Sequence, residues 1–250
     1  MSLDQKEVSL GNDLTIATTR AFHDESYSRL GFAAQRRYPN EELLRFVGPR
    51  YFTMPRAARA GVAVLEIGCG SGANLWMLAR EGFNVHGVDL SFAALSLCRQ
   101  MLAEWQTGAA PLTQGSMTEL PYRNQSFDLV VDVLATHCLT EAEFVRCLRE
   151  TGRILKCGGM FFSYMLSKNS DAFRDHAPAT KLDQSTLNGI ERATSPYFGS
   201  LFPVRFIAPD EYSALLESHG FRVRSNERIG RTYRNGAEYF EYVSIAAEKT

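Results

Sequence analysis

One stretch of the chain concentrates backbone and charge chemistry: Leu65-Glu66-Ile67-Gly68-Cys69-Gly70-Ser71-Gly72. An apolar run enters it and an amphipathic run leaves it, which reads as the turn from a strand into a helix. Free N–H groups and the helix dipole favour a polar or anionic ligand there, and the glycines let it touch the backbone. Gly68, Gly70 and Ala73 also satisfy the dinucleotide fingerprint G-x-G-x-x-G/A, with Asp89 where a ribose-binding acid would lie. Glu66 weighs against a dinucleotide, because a carboxylate two residues before the first glycine repels a pyrophosphate and suits a cation. A second place of interest is Ala135-Thr136-His137-Cys138, past the fourth apolar run. An imidazole near its reference pKa takes a proton at neutral pH, so His137 is the candidate general base. Its plainer role is to cap the following turn or orient a substrate, and Cys138 reads as packing. His23, His86, His176 and His219 have no ligand spacing, and no metal is expected.

The elements that must position these residues follow from periodicity and punctuation. Strands are expected at 62–67, 84–89, 111–114, 127–134, 160–166, 221–228 and 239–247, with amphipathic helices after the first, second and fourth and a turn-rich connector after the third. Ser91 is a candidate N-cap, and Thr140 with Glu143 a candidate capping box. This alternation predicts an α/β fold: a Rossmann-like doubly wound seven-stranded sheet, mostly parallel, with a C-terminal antiparallel hairpin strand. Residues 1–60 read as an N-terminal helical cap or lid with irregular stretches, its clearest helix from Asn40 through Phe46. Residues 61–250 form the main domain, with 167–205 as an insertion over the active site.

The run Leu65–Gly72, continued through Asp89, the Gly115–Asp128 connector and Leu155–Met160, resembles the class I S-adenosylmethionine-dependent methyltransferases of small-molecule type. The likeness covers residues 60–166 and implies S-adenosyl-L-methionine as cofactor and S-adenosyl-L-homocysteine as product; the former carries an ammonium and a sulfonium. By position it implies that Glu66 supports the methionine ammonium and that Gly68, Cys69 and Gly70 pass under the ligand. It further implies that Asp89 accepts the ribose hydroxyls, Leu90 packs on the adenine, Ser116 and Met117 lie at its edge, and Val133 and Leu134 line the methionine side. Ser116 stands where the family often has Asp, and Cys157 where it often has Pro. The N-terminal zone of relatives folds over the cofactor, which places Arg36, Tyr38 and Asn40 near the acceptor, with Arg36 or Tyr38 available to the methionine carboxylate. Arg37-Tyr38-Pro39-Asn40-Glu41 is similar to small-molecule methyltransferases of sugar or surface-glycan pathways. A nicotinamide-dependent oxidoreductase and a non-catalytic cofactor-binding protein are the alternatives.

Composition limits the partner. The 250 residues carry 27 basic and 28 acidic side chains for a formal charge of −1, which gives no global grip on nucleic acid or acidic lipid. No Asn-Pro-Pro-Tyr-like sequence or Pro-Cys nucleophile follows the fourth strand, which also argues against a nucleic-acid substrate. Five cysteines without a C-x-x-C pair suggest a reducing compartment, and with no signal peptide or membrane-length apolar run the expected location is cytoplasmic. Of the basic residues 22 are Arg, eight of them within 20–60 against four acids. That surplus suggests a small, anionic acceptor, methylated on oxygen or nitrogen. Oligomeric state is not legible.

Overall fold

The computed structural model describes residues 3–108 and 110–250, with side chains from residue 15 onward. Its centre is a seven-stranded sheet: β1 (Ala63–Ile67), β2 (Asn84–Asp89), β3 (Leu112–Gln114), β4 (Phe127–Val133), β5 (Leu155–Leu166), β8 (Phe221–Tyr233) and β9 (Glu238–Lys249). In space the order is β3-β2-β1-β4-β5-β9-β8. β1 to β5 run parallel, and β9 is antiparallel to both β5 and β8. The expected sheet is present. Helices α4 (Leu75–Arg80), α5 (Phe92–Glu104), α6 (Glu141–Ile154) and α8 (Pro209–Ser218) connect its strands. Because the order reverses between β1 and β4, their carboxyl ends diverge and leave a crevice, the usual binding place of an open parallel sheet.

Local chemistry sets the boundaries near that crevice. Ser91 Oγ accepts from the Ala94 N–H and starts α5. Thr140 and Glu143 form the expected reciprocal capping box on α6. Strand β5 begins at Leu155, five residues before the expected Met160, because Leu155 already pairs with Phe127 and the ladder absorbs a register shift before Leu129 meets Met160. The C-terminal hairpin is longer than expected, since Gly230 through Tyr233 pair with Glu241 through Glu238 and leave only 234–237 as the connection.

The first sixty residues depart most from expectation. Leu3–Leu30 is one 28-residue helix, α1, within the zone expected to form a helical cap with irregular stretches. Then α2 (Glu41–Tyr51) begins at Asn40, whose side-chain oxygen accepts from the N–H groups of Glu42 and Leu43, and runs past Gly48 with Pro49 inside it. A short helix, α3 (Arg56–Arg59), leads into β1. Leu43 and Val47 of α2 are fully buried in the same apolar cluster as β1 and β5 residues, and Phe46 stacks on Phe162 with centroids 5.0 Å apart. So α2 packs on the sheet, and only the chain before it lies across the crevice. Residues 167–205 hold a short helix, α7 (Asp171–Arg174), and β6 (Thr186–Leu187), which pairs with β7 (Val204–Arg205). Phe202 from this stretch meets Phe22 of α1 at 4.9 Å between centroids. No described helix is long and apolar enough to cross a membrane.

Candidate active site

The glycine turn after β1 is a cradle of bare backbone. Gly68 and Gly70 have φ of +60° and +53°, and a Cβ on Gly68 would collide with Ala135, one on Gly70 with Gln35 and Tyr27. Asp89, at the end of β2, spans the turn: Oδ2 accepts from the Gly70 N–H at 2.8 Å and Oδ1 from the Ser91 N–H at 2.9 Å. Burial raises its pKa against these hydrogen bonds. Asp132, below the end of β4, is fully satisfied by Ala135, Thr136 and Ser163, so it shapes the turn that presents Ala135. Leu134, at φ +55°, holds a strained backbone at the same rim.

These turns border a pocket of about 640 Å³, its open mouth included. Its wall contains Gly68, Asp89, Leu90, Met117 and Leu134, five of the expected cofactor positions. Glu66 lies outside the wall and is buried; Oε1 accepts from Asn74 Nδ2 at 2.6 Å and Oε2 has no partner. Desolvation pushes its pKa up to about 8, opposed by the Asn74 bond and by nearby Arg36. Cys69 turns its thiol away toward Gly87 and Cys98, as packing. Gly70 is covered by Gln35, whose Oε1 accepts from the Ser71 N–H and from Tyr27 Oη. Ser116 is engaged with Thr118, its Oγ 2.7 Å from Oγ1, and closes a turn outside the wall. Val133 points into the apolar core, and its neighbour Leu134 faces the pocket instead.

The acceptor-side expectations fare differently. Arg36 has a buried Nε without a partner and lies close enough to Glu66 to favour its carboxylate. Tyr38 is 63% exposed and edges against Trp76 and Trp105, on the outside. Asn40 uses its side chain to cap α2, and its N–H donates to Asn74 Oδ1. Neither borders the pocket, because the chain from 38 to 40 is drawn to α4 and α5. His137 is buried behind the wall, its ring against Tyr197 and Phe202 and its Nε2 3.6 Å from Cys138 Sγ. Desolvation, with His23 adding, pushes its pKa down to about 4, well below the near-reference value expected of a base. Burial costs the imidazolium its hydration, so this imidazole holds a proton poorly.

The wall also includes residues that the sequence reading did not select. Ile16, Thr19, His23 and Tyr27 come from one face of α1, Gln35 from the turn after it, and Cys138, Leu139 and Glu143 from the β4–α6 connection. The signal for the first group was present: Thr19, His23 and Tyr27 are spaced by four, which puts them on one helical stripe. Asp24, on the same helix, ties α1 to the crevice by accepting from Ser91 Oγ at 2.6 Å.

The residues fit S-adenosylmethionine: a bare glycine cradle, a carboxylate beside it, apolar Leu90, Met117 and Leu134, and orphaned polar atoms on Glu66 and Arg36 suited to an ammonium and a carboxylate. The strand order and flanking helices are those of the Rossmann-like methyltransferase fold. Residues 64–159 match the family described as Methyltransferase domain. Among curated proteins it is similar to the phthiotriol/phenolphthiotriol dimycocerosates methyltransferase of Mycobacterium tuberculosis, 29% identical over 179 residues. That match takes in 70% of this chain and spans 63% of the relative's length. Among solved structures, a SAM-dependent methyltransferase from Methanosarcina mazei superposes with a TM-score of 0.63 at 23% identity, over 75% of this chain and 92% of that one. The 1,6-didemethyltoxoflavin-N1-methyltransferase of Burkholderia thailandensis, bound to 1,6-didemethyltoxoflavin and S-adenosylhomocysteine, gives 0.58 at 14% identity over 100% and 92%.

Proposed function

We propose that this protein transfers the methyl group of S-adenosylmethionine to an oxygen or nitrogen of a small molecule held in the pocket between α1 and the β4–α6 connection. The observation that carries this reading is the single pocket wall shared by Gly68 and Asp89 on one side and by α1 on the other. Bound S-adenosylmethionine supplies an electrophilic methyl on a sulfonium that leaves as a neutral thioether. The chain's own part is to hold the ribose side at Asp89, to place Glu66 and Arg36 at the amino-acid end, and to exclude water under α1 and Phe202. Positioning and desolvation can provide most of the acceleration of an in-line displacement. An amine acceptor needs little more. For a hydroxyl the nearer base is His23, which lines the pocket, rather than His137, which stands behind Cys138. Both oxygen and nitrogen stay open, since one relative is named for a phthiotriol and a structural neighbour for an N1 position.

Two expectations about the acceptor lose their support. Arg37–Glu41, which suggested a sugar or glycan intermediate, contributes nothing to the wall. Five of the eight arginines are engaged elsewhere: Arg20 with Asp24, Arg37 with Glu104, Arg45 with Glu41, Arg59 with Glu81, and Arg56 on the Arg80 carbonyl. Titration calorimetry with S-adenosylhomocysteine and with NAD tests the reading. Binding of the former alone is expected, and binding of NAD alone would overturn it. With an acceptor in hand, His23→Ala should lower kcat more than His137→Ala; the reverse order would return the base to His137.

A further inference from the structure

The structure assigns the acceptor end of this pocket to a molecule with an apolar body and a hydrogen-bond-donating head, a hydroxyl or a protonated amine, received by Glu143. The inference rests on the proposed methyl-transfer reading and names its substrate class. Glu143 stands in the first turn of α6, is fully buried and forms part of the pocket wall. Its Oε2 accepts from the Thr140 N–H and from Thr140 Oγ1, both at 2.8 Å, while Oε1 has no partner. A buried carboxylate oxygen without a donor is costly, so a free one in a pocket wall points to a donor that arrives with the ligand. The two bonds to Oε2 also fix the carboxylate plane, so Oε1 is held in place by the capping box.

The surroundings give the rest of the ligand. Ile16 and Leu139 supply apolar wall beyond the cofactor positions. Among the described lining residues there is no Lys or Arg, and Asp89 is a second carboxylate. An anionic head would meet the Glu143 carboxylate with no Lys or Arg among the described lining residues to offset it, and a head lacking N–H or O–H would leave Oε1 unpaired. This reverses the charge expected from the arginine surplus.

Four probes of one skeleton separate the cases: 4-butylbenzyl alcohol, 4-butylbenzylamine, 4-butylbenzoate and the methyl ether of the alcohol. Each is titrated calorimetrically into the wild type and into Glu143→Gln, with and without saturating S-adenosylhomocysteine. In the variant the amide oxygen can keep the cap on Thr140 while an NH₂ donor replaces Oε1. An unchanged melting temperature and S-adenosylhomocysteine affinity establish that the variant is folded. For the wild type we expect the alcohol and amine to bind at least about tenfold more tightly than the benzoate and the ether, and for the variant we expect that preference to shrink by about tenfold. Tightest binding by the benzoate, an unchanged preference in the variant, or no binding by any probe would overturn the proposal. Failure of S-adenosylhomocysteine to bind would overturn the methyltransferase reading instead, and the titrations without it still report on Glu143.

Discussion

At the residue scale, burial decides what each charged group of the site can do. Asp89 faces the pocket with both oxygens already accepting backbone bonds, and each retains a lone pair for a ligand hydroxyl. Asp89→Ala should weaken S-adenosylhomocysteine binding by about 1–3 kcal/mol, as charge-assisted bonds are lost; unchanged calorimetric affinity would place the ribose elsewhere. Glu66 gives a pH signature. Its folded pKa of about 8 lies above the ordinary 4.5, so the folded chain keeps a proton that the unfolded chain releases. The Glu66 contribution to stability therefore falls as pH rises from 4.5 to about 8 and levels off above that, against an opposite contribution from His137 between about 4 and 6.5. Glu66→Gln, which cannot ionise, should show a shallower decline of melting temperature across that window; a decline as steep as wild type would mean that Glu66 is not the group responsible. An ammonium settling beside Glu66 favours its carboxylate, so cofactor binding at neutral pH should release a proton, seen as a binding enthalpy that varies with the buffer's ionisation enthalpy.

Among the elements, α6 and α1 both contribute to the pocket wall. The start of α6 is set by Thr140, whose Oγ1 accepts from the Glu143 N–H while Glu143 reaches back to the Thr140 N–H. Loss of an N-cap costs about 1 kcal/mol, so Thr140→Ala should lower the melting temperature by about 2–4 °C. A variant as stable as wild type would mean that the cap is dispensable. This helix was legible because a capping box and an inward apolar stripe are local signals. Helix α1 was not: polar residues surround its few apolar ones, and what holds it is tertiary, namely Asp24 on Ser91 and Phe22 on Phe202. A helix stabilised by what it covers leaves little trace in propensity. For the same reason Tyr38 and Asn40 were misassigned. They adjoin Arg36 in sequence, but α2's cap and the paired Trp76 and Trp105 draw them outward.

Taken whole, the molecule is a seven-stranded sheet with α1 in the wall of the crevice pocket and Phe202 of residues 167–205 packed on α1. If these segments form the cap, S-adenosylhomocysteine should slow amide exchange in 15–35 and 195–206 and leave the β8–β9 hairpin unchanged. Equal protection of the hairpin, or none in α1, would separate the cap from binding. The sequence by itself determined the sheet, the glycine turn and five residues of the pocket wall, because strand alternation, helix periodicity and glycine spacing act over a few residues at a time. Only the tertiary structure decided the acceptor side. His23 and Glu143 are 120 positions apart and share a wall solely because the crevice between diverging strands is closed from both directions. It also decided the charge of that wall. Composition counts arginines, but folding pairs Arg45 with Glu41 and Arg37 with Glu104 on the surface and buries Arg59 against Glu81, while Asp89 and Glu143 line the pocket, where low dielectric gives a carboxylate its greatest influence.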